Sequence, residues 1–199
     1  MKKYGILILI LALACFAGCG GKSDSGDAAH QDDHSHGEGA DHGHGEGHGD
    51  SMASAEMAAK SGSSLSGKAT FVPEGDQVTF TLFVEGVEPG THAVHIHETG
   101  DCSADDGTSA GGHWNPTGSD HGEWGGEAHH LGDLGNMEVG ENGQGTLSLT
   151  TDAWSIGSGA DNDIVGKSVI VHAVADDFTT QPTGAAGGRI GCGVIQKEM

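Results

Sequence analysis

The sequence predicts an all-β domain, a sandwich or a barrel, preceded by a polar extension. Three observations predict it. Val78–Val84 (VTFTLFV) and Gly145–Thr151 (GTLSLTT) alternate apolar and polar residues with the period of a half-buried strand. Ser168–Val174 (SVIVHAV) and Arg189–Ile195 (RIGCGVI) are short apolar runs bounded by turn residues. Glycine and proline, 37 and 4 residues, separate these segments, and no stretch carries the pattern of a long amphipathic helix. On this reading residues 55–199 form the domain. Residues 98–133 interrupt it without a convincing strand, and so long a loop in a compact domain needs a function or a staple.

The N-terminus has the layout of an export signal. Lys2 and Lys3 precede an apolar core, Ile6 to Ala14, that is short for a membrane span. The core ends in FAGC, which resembles the lipobox of bacterial lipoproteins. That resemblance implies a signal peptide over 1–18, lipidation of Cys19 and a membrane anchor, at the periplasmic or outer cell surface. Cys15 is a weaker candidate, and a plain secretory signal remains the alternative. Residues 19–54 follow as a low-complexity tether with six histidines (His30, His34, His36, His42, His44 and His48). With nothing apolar to bury it reads as disordered. It could serve as a spacer, as a loose collector of copper or zinc, or as both.

Composition excludes one class of partner. The chain carries a formal charge of −21, and residues 55–199 alone carry −16. So acidic a domain is not a nucleic-acid binder, and metal ions suit it better. Export leaves Cys102 and Cys192 beyond the signal region, and two cysteines in an oxidising compartment read as one disulfide.

The chemistry concentrates in histidines. His95 and His97, in VHIHETGDC, share one face if the segment is a strand. His113, His121, His130 and Asp133 follow through the long loop, and His172 lies in an apolar run. Imidazole suits copper and zinc, and a histidine set with one carboxylate suits zinc. Metal binding could itself order a loop that lacks secondary structure.

The stretches HAVHIHETGDC, SAGGHWNP, HHLGDLGN, VIVHAVADD and GGRIGCGVI, in this order and spacing, closely resemble the copper/zinc superoxide dismutase family over about 62–199. The resemblance implies a Greek-key β-barrel of immunoglobulin-like architecture with long metal-binding loops. It also implies one copper and one zinc ion per subunit. His95, His97, His113 and His172 would hold copper. His113, His121, His130 and Asp133 would hold zinc, so that His113 bridges. Asp176 would hydrogen-bond one ligand from each metal, His95 and His121. Arg189 would attract the substrate anion beside the copper, and Cys102–Cys192 would anchor the long loop to the last strand. The implied activity converts superoxide to oxygen and hydrogen peroxide by alternating reduction and oxidation of copper, with His113 exchanging a proton and zinc structural. The alternative is a non-catalytic copper/zinc-binding or metal-delivery lipoprotein. Family members pair through different surfaces, so a homodimer is admitted without a specified interface.

Further expectations attach to single segments. His92 matches a position that bonds backbone and binds no metal, and His129 reads as exposed. The family's first strand falls near Met52–Lys60, where MASAEMAAK is a poor strand former and predicts a weak or irregular edge. Between Asp176 and Arg189 the one further charge is Asp177, which predicts reduced steering of superoxide.

Overall fold

The computed structural model describes residues 51–199. The signal peptide, Cys19 and most of the histidine-rich tether lie outside the described residues.

Nine strands run in chain order: β1 Ala53–Ala59, β2 Ser66–Glu74, β3 Gln77–Glu85, β4 Gly90–His97, β5 Asp133–Val139, β6 Gly145–Thr151, β7 Ser168–His172, β8 Arg189–Val194 and β9 Gln196–Lys197. All pairings among them are antiparallel. The order β2-β3-β6-β5-β4-β7-β8-β1 closes on itself through β1–β2, with β9 added beside β1. This is a Greek-key barrel: β3 skips to β6 and β4 skips to β7. Closure leaves no edge among the eight barrel strands.

Alternation builds the core. Val78, Phe80, Leu82 and Val84 of β3 point inward and are buried. Phe71 from β2 packs against Phe80 in a tilted arrangement, 5.1 Å between ring centroids. Trp154 packs edge-on to both, at 6.0 and 6.4 Å.

The first strand corrects the expectation of a weak edge. It begins at Ala53, two residues before the boundary read from the sequence, and pairs with β2 from Ala53↔Phe71 to Ala58↔Ser66. Ala53, Ala55 and Met57 alternate inward and are buried, while Glu56 is exposed. Strand propensity largely measures packing against neighbours, and here small side chains fit between β2 and the strands that follow. β2 and β5 also went unread, because SGKATFVPE carries a proline and DLGNMEV has three polar residues and a glycine.

Three long connections join the strands, 98–132, 152–167 and 173–188, and the second feeds Trp154 and Ile164 into the core. The first contains one 3-10 turn, Thr108–Ala110. It lies against β4 through Trp114 N–H donating to Ile96 O (2.9 Å) and Ile96 N–H donating to Gly132 O (2.8 Å). It is stapled by the Cys102–Cys192 disulfide, which reaches β8 as expected. Trp124 also packs on Trp154 at 5.5 Å, and the Trp154 indole donates to Leu131 O (3.1 Å).

Candidate metal centre

Three strand termini converge where the loops cover the barrel. His95 and His97 close β4, Asp133 opens β5 and His172 ends β7. In register, His95 lies opposite Asp133, and His172 opposite Arg189, the first residue of β8. The pairing is irregular at Val94/His95 and again at Val171/His172. Such irregularities re-aim side chains next to functional sites. The long loop supplies His113, which bridges to His97, together with His121 and His130.

These side chains form two buried groups. His95, His97, His113 and His172 each offer a ligand atom within 4.8 Å of the others. His113, His121, His130 and Asp133 do the same, so His113 belongs to both. On the second side, the Nδ1 atoms of His113, His121 and His130 lie 2.9, 3.0 and 3.2 Å from Asp133 oxygens.

The hydrogen bonds fix which nitrogens are free. A carbonyl or carboxylate oxygen accepts, so the ring nitrogen facing it carries the proton. His97 Nδ1 donates to Gly111 O (3.0 Å) and His172 Nδ1 to Gly187 O (3.3 Å). Their Nε2 lone pairs are left facing each other at 3.4 Å. His95 Nε2 donates to Asp176 Oδ2 (2.8 Å), and His121 Nε2 to Asp176 Oδ1 (2.9 Å). That leaves His95 Nδ1 and His113 Nε2 buried and without a hydrogen bond. His121 Nδ1 and His130 Nδ1 also make none, but with His113 Nδ1, which bonds Asp133 Oδ1 (2.9 Å), they converge on one carboxylate, where a metal ion would replace the shared protons. Converging, buried, unpaired lone pairs are costly unless a cation lies among them. The residues therefore fit metal ions: four imidazoles on one side suit copper, and three imidazoles with a carboxylate suit zinc.

The electrostatics agree. Burial, against the pull of Asp176, takes the His95 pKa down to about 4. Burial likewise takes His97 to about 2 and His172 to about 3. All three are neutral at pH 7, the form in which imidazole binds a metal. Burial also lowers His130. In His121 the hydrogen bond to Asp176 and the charge of Asp133 outweigh burial and raise the pKa. Burial would raise Asp133, but hydrogen bonds from His113 and the His130 N–H (2.8 Å) hold it well below the usual carboxylate range. Asp176 is lowered in the same way, by His95 and His121.

Arg189 is half-buried beside this group. Its Nη1 donates to Gly107 O and its Nη2 to Gly111 O, both at 2.6 Å. Gly111 O thus takes bonds from Arg189 and from His97.

Of the residues singled out in the sequence, the seven candidate ligands, Asp176 and Arg189 are brought together here, and the Cys102–Cys192 bridge lies beside them in the loop. His92 bonds backbone as expected, with its ring nitrogens 2.9 Å from His172 O and Glu88 O. His129 corrects an expectation: it is half-buried against Trp124, with centroids 5.0 Å apart. Two side-chain amides were missed. Asn136 grips the backbone of Asp176, accepting from its N–H (2.8 Å) and donating to its O (3.0 Å). Gln181 grips His121 in the same way. Asn136 ends the stretch HHLGDLGN, but nothing in its type or spacing announces a partner forty residues on.

A Greek-key barrel carrying two adjoining histidine groups with a shared imidazole defines a domain whose buried side chains could hold metal ions. The sequence profile of the copper/zinc superoxide dismutase family matches residues 65–195, and the chain belongs to that family. Among solved structures, the crystal structure of the clock protein EA4 is similar, with a TM-score of 0.65 and 34% sequence identity. The likeness covers 73% of this chain and 93% of that one.

Proposed function

We propose that this chain is an exported superoxide dismutase holding one copper and one zinc ion per subunit. The observation that carries the reading is the shared His113, with unpaired imidazole nitrogens on the copper side and Arg189 in register with His172. When bound, copper supplies a one-electron acceptor and donor, and zinc, which has no redox chemistry, supplies fixed charge and geometry. Two superoxide anions and two protons become oxygen and hydrogen peroxide. Arg189, locked by two carbonyl oxygens, presents a fixed positive charge to the anion. Superoxide dismutases are a standard case of such electrostatic attraction. His113 Nε2 is placed to take up a proton in one half of the cycle and give it up in the other. Asp176 keeps His95 and His121 in the tautomers that direct Nδ1 inward.

The N-terminal reading adds lipidation of Cys19, a membrane anchor facing the periplasm or cell surface, and a histidine-rich segment that collects metal. Homodimer formation belongs to the same proposal. A second reading, a non-catalytic copper/zinc carrier, is favoured by the six histidines of that segment. The purified chain, assayed for copper, zinc and superoxide removal with and without a copper chelator, separates the two. Removal that requires copper supports the dismutase, and stoichiometric metal without removal leaves the carrier. Because Ala53 opens β1, a tail deletion should span 20–50. Copper loading under metal limitation that is no slower in this deletion eliminates metal capture. Cys19→Ala should move the protein from the membrane to the soluble fraction.

A further inference from the structure

Zinc ligands on irregular loops need their backbone held as well as their rings. His121 lies in a segment without regular secondary structure. Its N–H donates to Gln181 Oε1 (2.9 Å), and its O accepts from Gln181 Nε2 (2.8 Å). One carboxamide thus pairs with both sides of this residue, as a neighbouring strand would.

Gln181 stands on a compact turn. Gly184 N–H donates to Thr180 O (2.7 Å) and Asp177 N–H to Gly184 O (2.9 Å). The Asp177 carboxylate accepts from the backbone N–H groups of Thr179 (2.9 Å) and Thr180 (2.8 Å). The same turn carries Asp176, which holds the His121 ring. It lies close over that bond because Gly184 has no side chain: a Cβ there would sit 1.7 Å from Asp176 Oδ1 and 2.6 Å from His121 Nε2. Gly184 also has φ +63, a conformation that favours glycine.

We propose that Gln181 is a positioning residue for the zinc side of the centre, fixing the backbone of His121 so that its Nδ1 faces Asp133 and His113. The inference rests on the assignment of His121 to a zinc site. It extends the function of the 176–184 turn from covering the centre to setting the geometry of a metal ligand. Partners that orient metal ligands typically change metal affinity by about 10–100-fold. Gln181 acts through backbone, so the lower end, about 10-fold, is expected.

Cobalt(II) on the metal-free full chain is the probe, with its dissociation constant read by chelator competition and its geometry by visible absorption. Gln181→Ala and Gln181→Met should both weaken cobalt by about 10-fold and shift the absorption bands. Gln181→Met keeps the length and removes the bonds, so equal losses assign the effect to hydrogen bonding. Gln181→Glu keeps the acceptor for the His121 N–H and should fall between. The copper-side electron paramagnetic resonance spectrum should not change. Wild-type cobalt affinity and absorption in the Ala and Met variants overturn the proposal, whatever happens to their melting temperature. A wild-type chain that binds no four-coordinate cobalt overturns the zinc-site reading itself, and this proposal with it.

Discussion

Breaking the Cys102–Cys192 bridge has a magnitude that can be worked out in advance. The bridge joins residues 90 apart in sequence. In the chain-entropy treatment a loop of that size removes about 15 cal/mol/K from the unfolded chain, or about 4.6 kcal/mol at 25 °C. Unfolding entropy of about 2.1 cal/mol/K per residue, over the domain from residue 51 onward, converts this to a fall in Tm of about 15 °C. The effect on the site should be one-sided. The bridge holds the stretch that carries Gly107 O and Gly111 O, which accept from Arg189, and Gly111 O also accepts from His97. The zinc-side stretch has ties of its own, through the Trp114 and Gly132 pairings with Ile96 and the Trp154 bond to Leu131. A Cys102→Ser, Cys192→Ser variant, with the reduced wild type beside it, should therefore lose copper affinity more than zinc affinity. Calorimetry of the metal-free proteins reads the first effect and chelator competition the second. A fall in Tm under about 3 °C would refute the entropic argument. Equal losses for the two metals would refute the one-sided tie.

Asp176→Asn leaves one acceptor oxygen where two imidazole N–H groups donate, so both metals should weaken by about 10–100-fold, measured by competition for each ion. Arg189→Ala should lower the superoxide rate and weaken its salt dependence. Arg189→Lys should restore the charge but not the two-carbonyl lock, and an unchanged rate in the alanine variant removes Arg189 from the mechanism. The metal-free domain should lose stability on acidification. His95, His97 and His172 have folded pKa values below the unfolded 6.5, so the unfolded chain binds more protons and stability falls as pH drops from about 6.5 toward 4. His121, raised, opposes this by stabilising at low pH, and the lowered Asp133 and Asp176 add a further loss below about pH 4. Urea midpoints referred to a His97→Asn, His172→Asn variant separate this from the general relief of acidic repulsion, and a difference that does not narrow or reverse on acidification would contradict it.

The seven side chains of the two groups were legible in the sequence because residue type and spacing both carry information there. His95-x-His97 on a strand is an instance of period two, and the resemblance to the family's spacing before Asp133 selects His130 over His129. What was illegible depends on packing between distant segments. Alanines make β1 a poor strand by propensity, yet they suit a position where the neighbours leave little room. His129 is covered by Trp124, and no local pattern predicts that aromatic contact. Asn136 and Gln181 act through carboxamides bonded to backbone 40 and 60 residues away. Such bonds have no periodicity, and the same residues on a surface loop look alike in sequence.

The anionic substrate of the proposed function and so acidic a domain can be reconciled through the position of the charges. Lys68 is paired with Glu56 and Glu198, Lys167 stands over the Trp114 ring, and the Lys60 ammonium donates to Cys102 O. Arg189 is the cation in register with His172 of the four-histidine group. Within the centre, Asp133 and Asp176 are the ionised acids and contribute two negative charges, which the two divalent ions of the proposed function would outweigh. With those ions bound, the centre would be locally positive inside a negative envelope. Surface charges beyond about 8–10 Å are screened at physiological salt, whereas a partly buried charge is screened much less. Moderate salt thus removes the opposing long-range field before it removes the local attraction. The superoxide rate should fall less steeply with ionic strength than Arg189 acting alone would give.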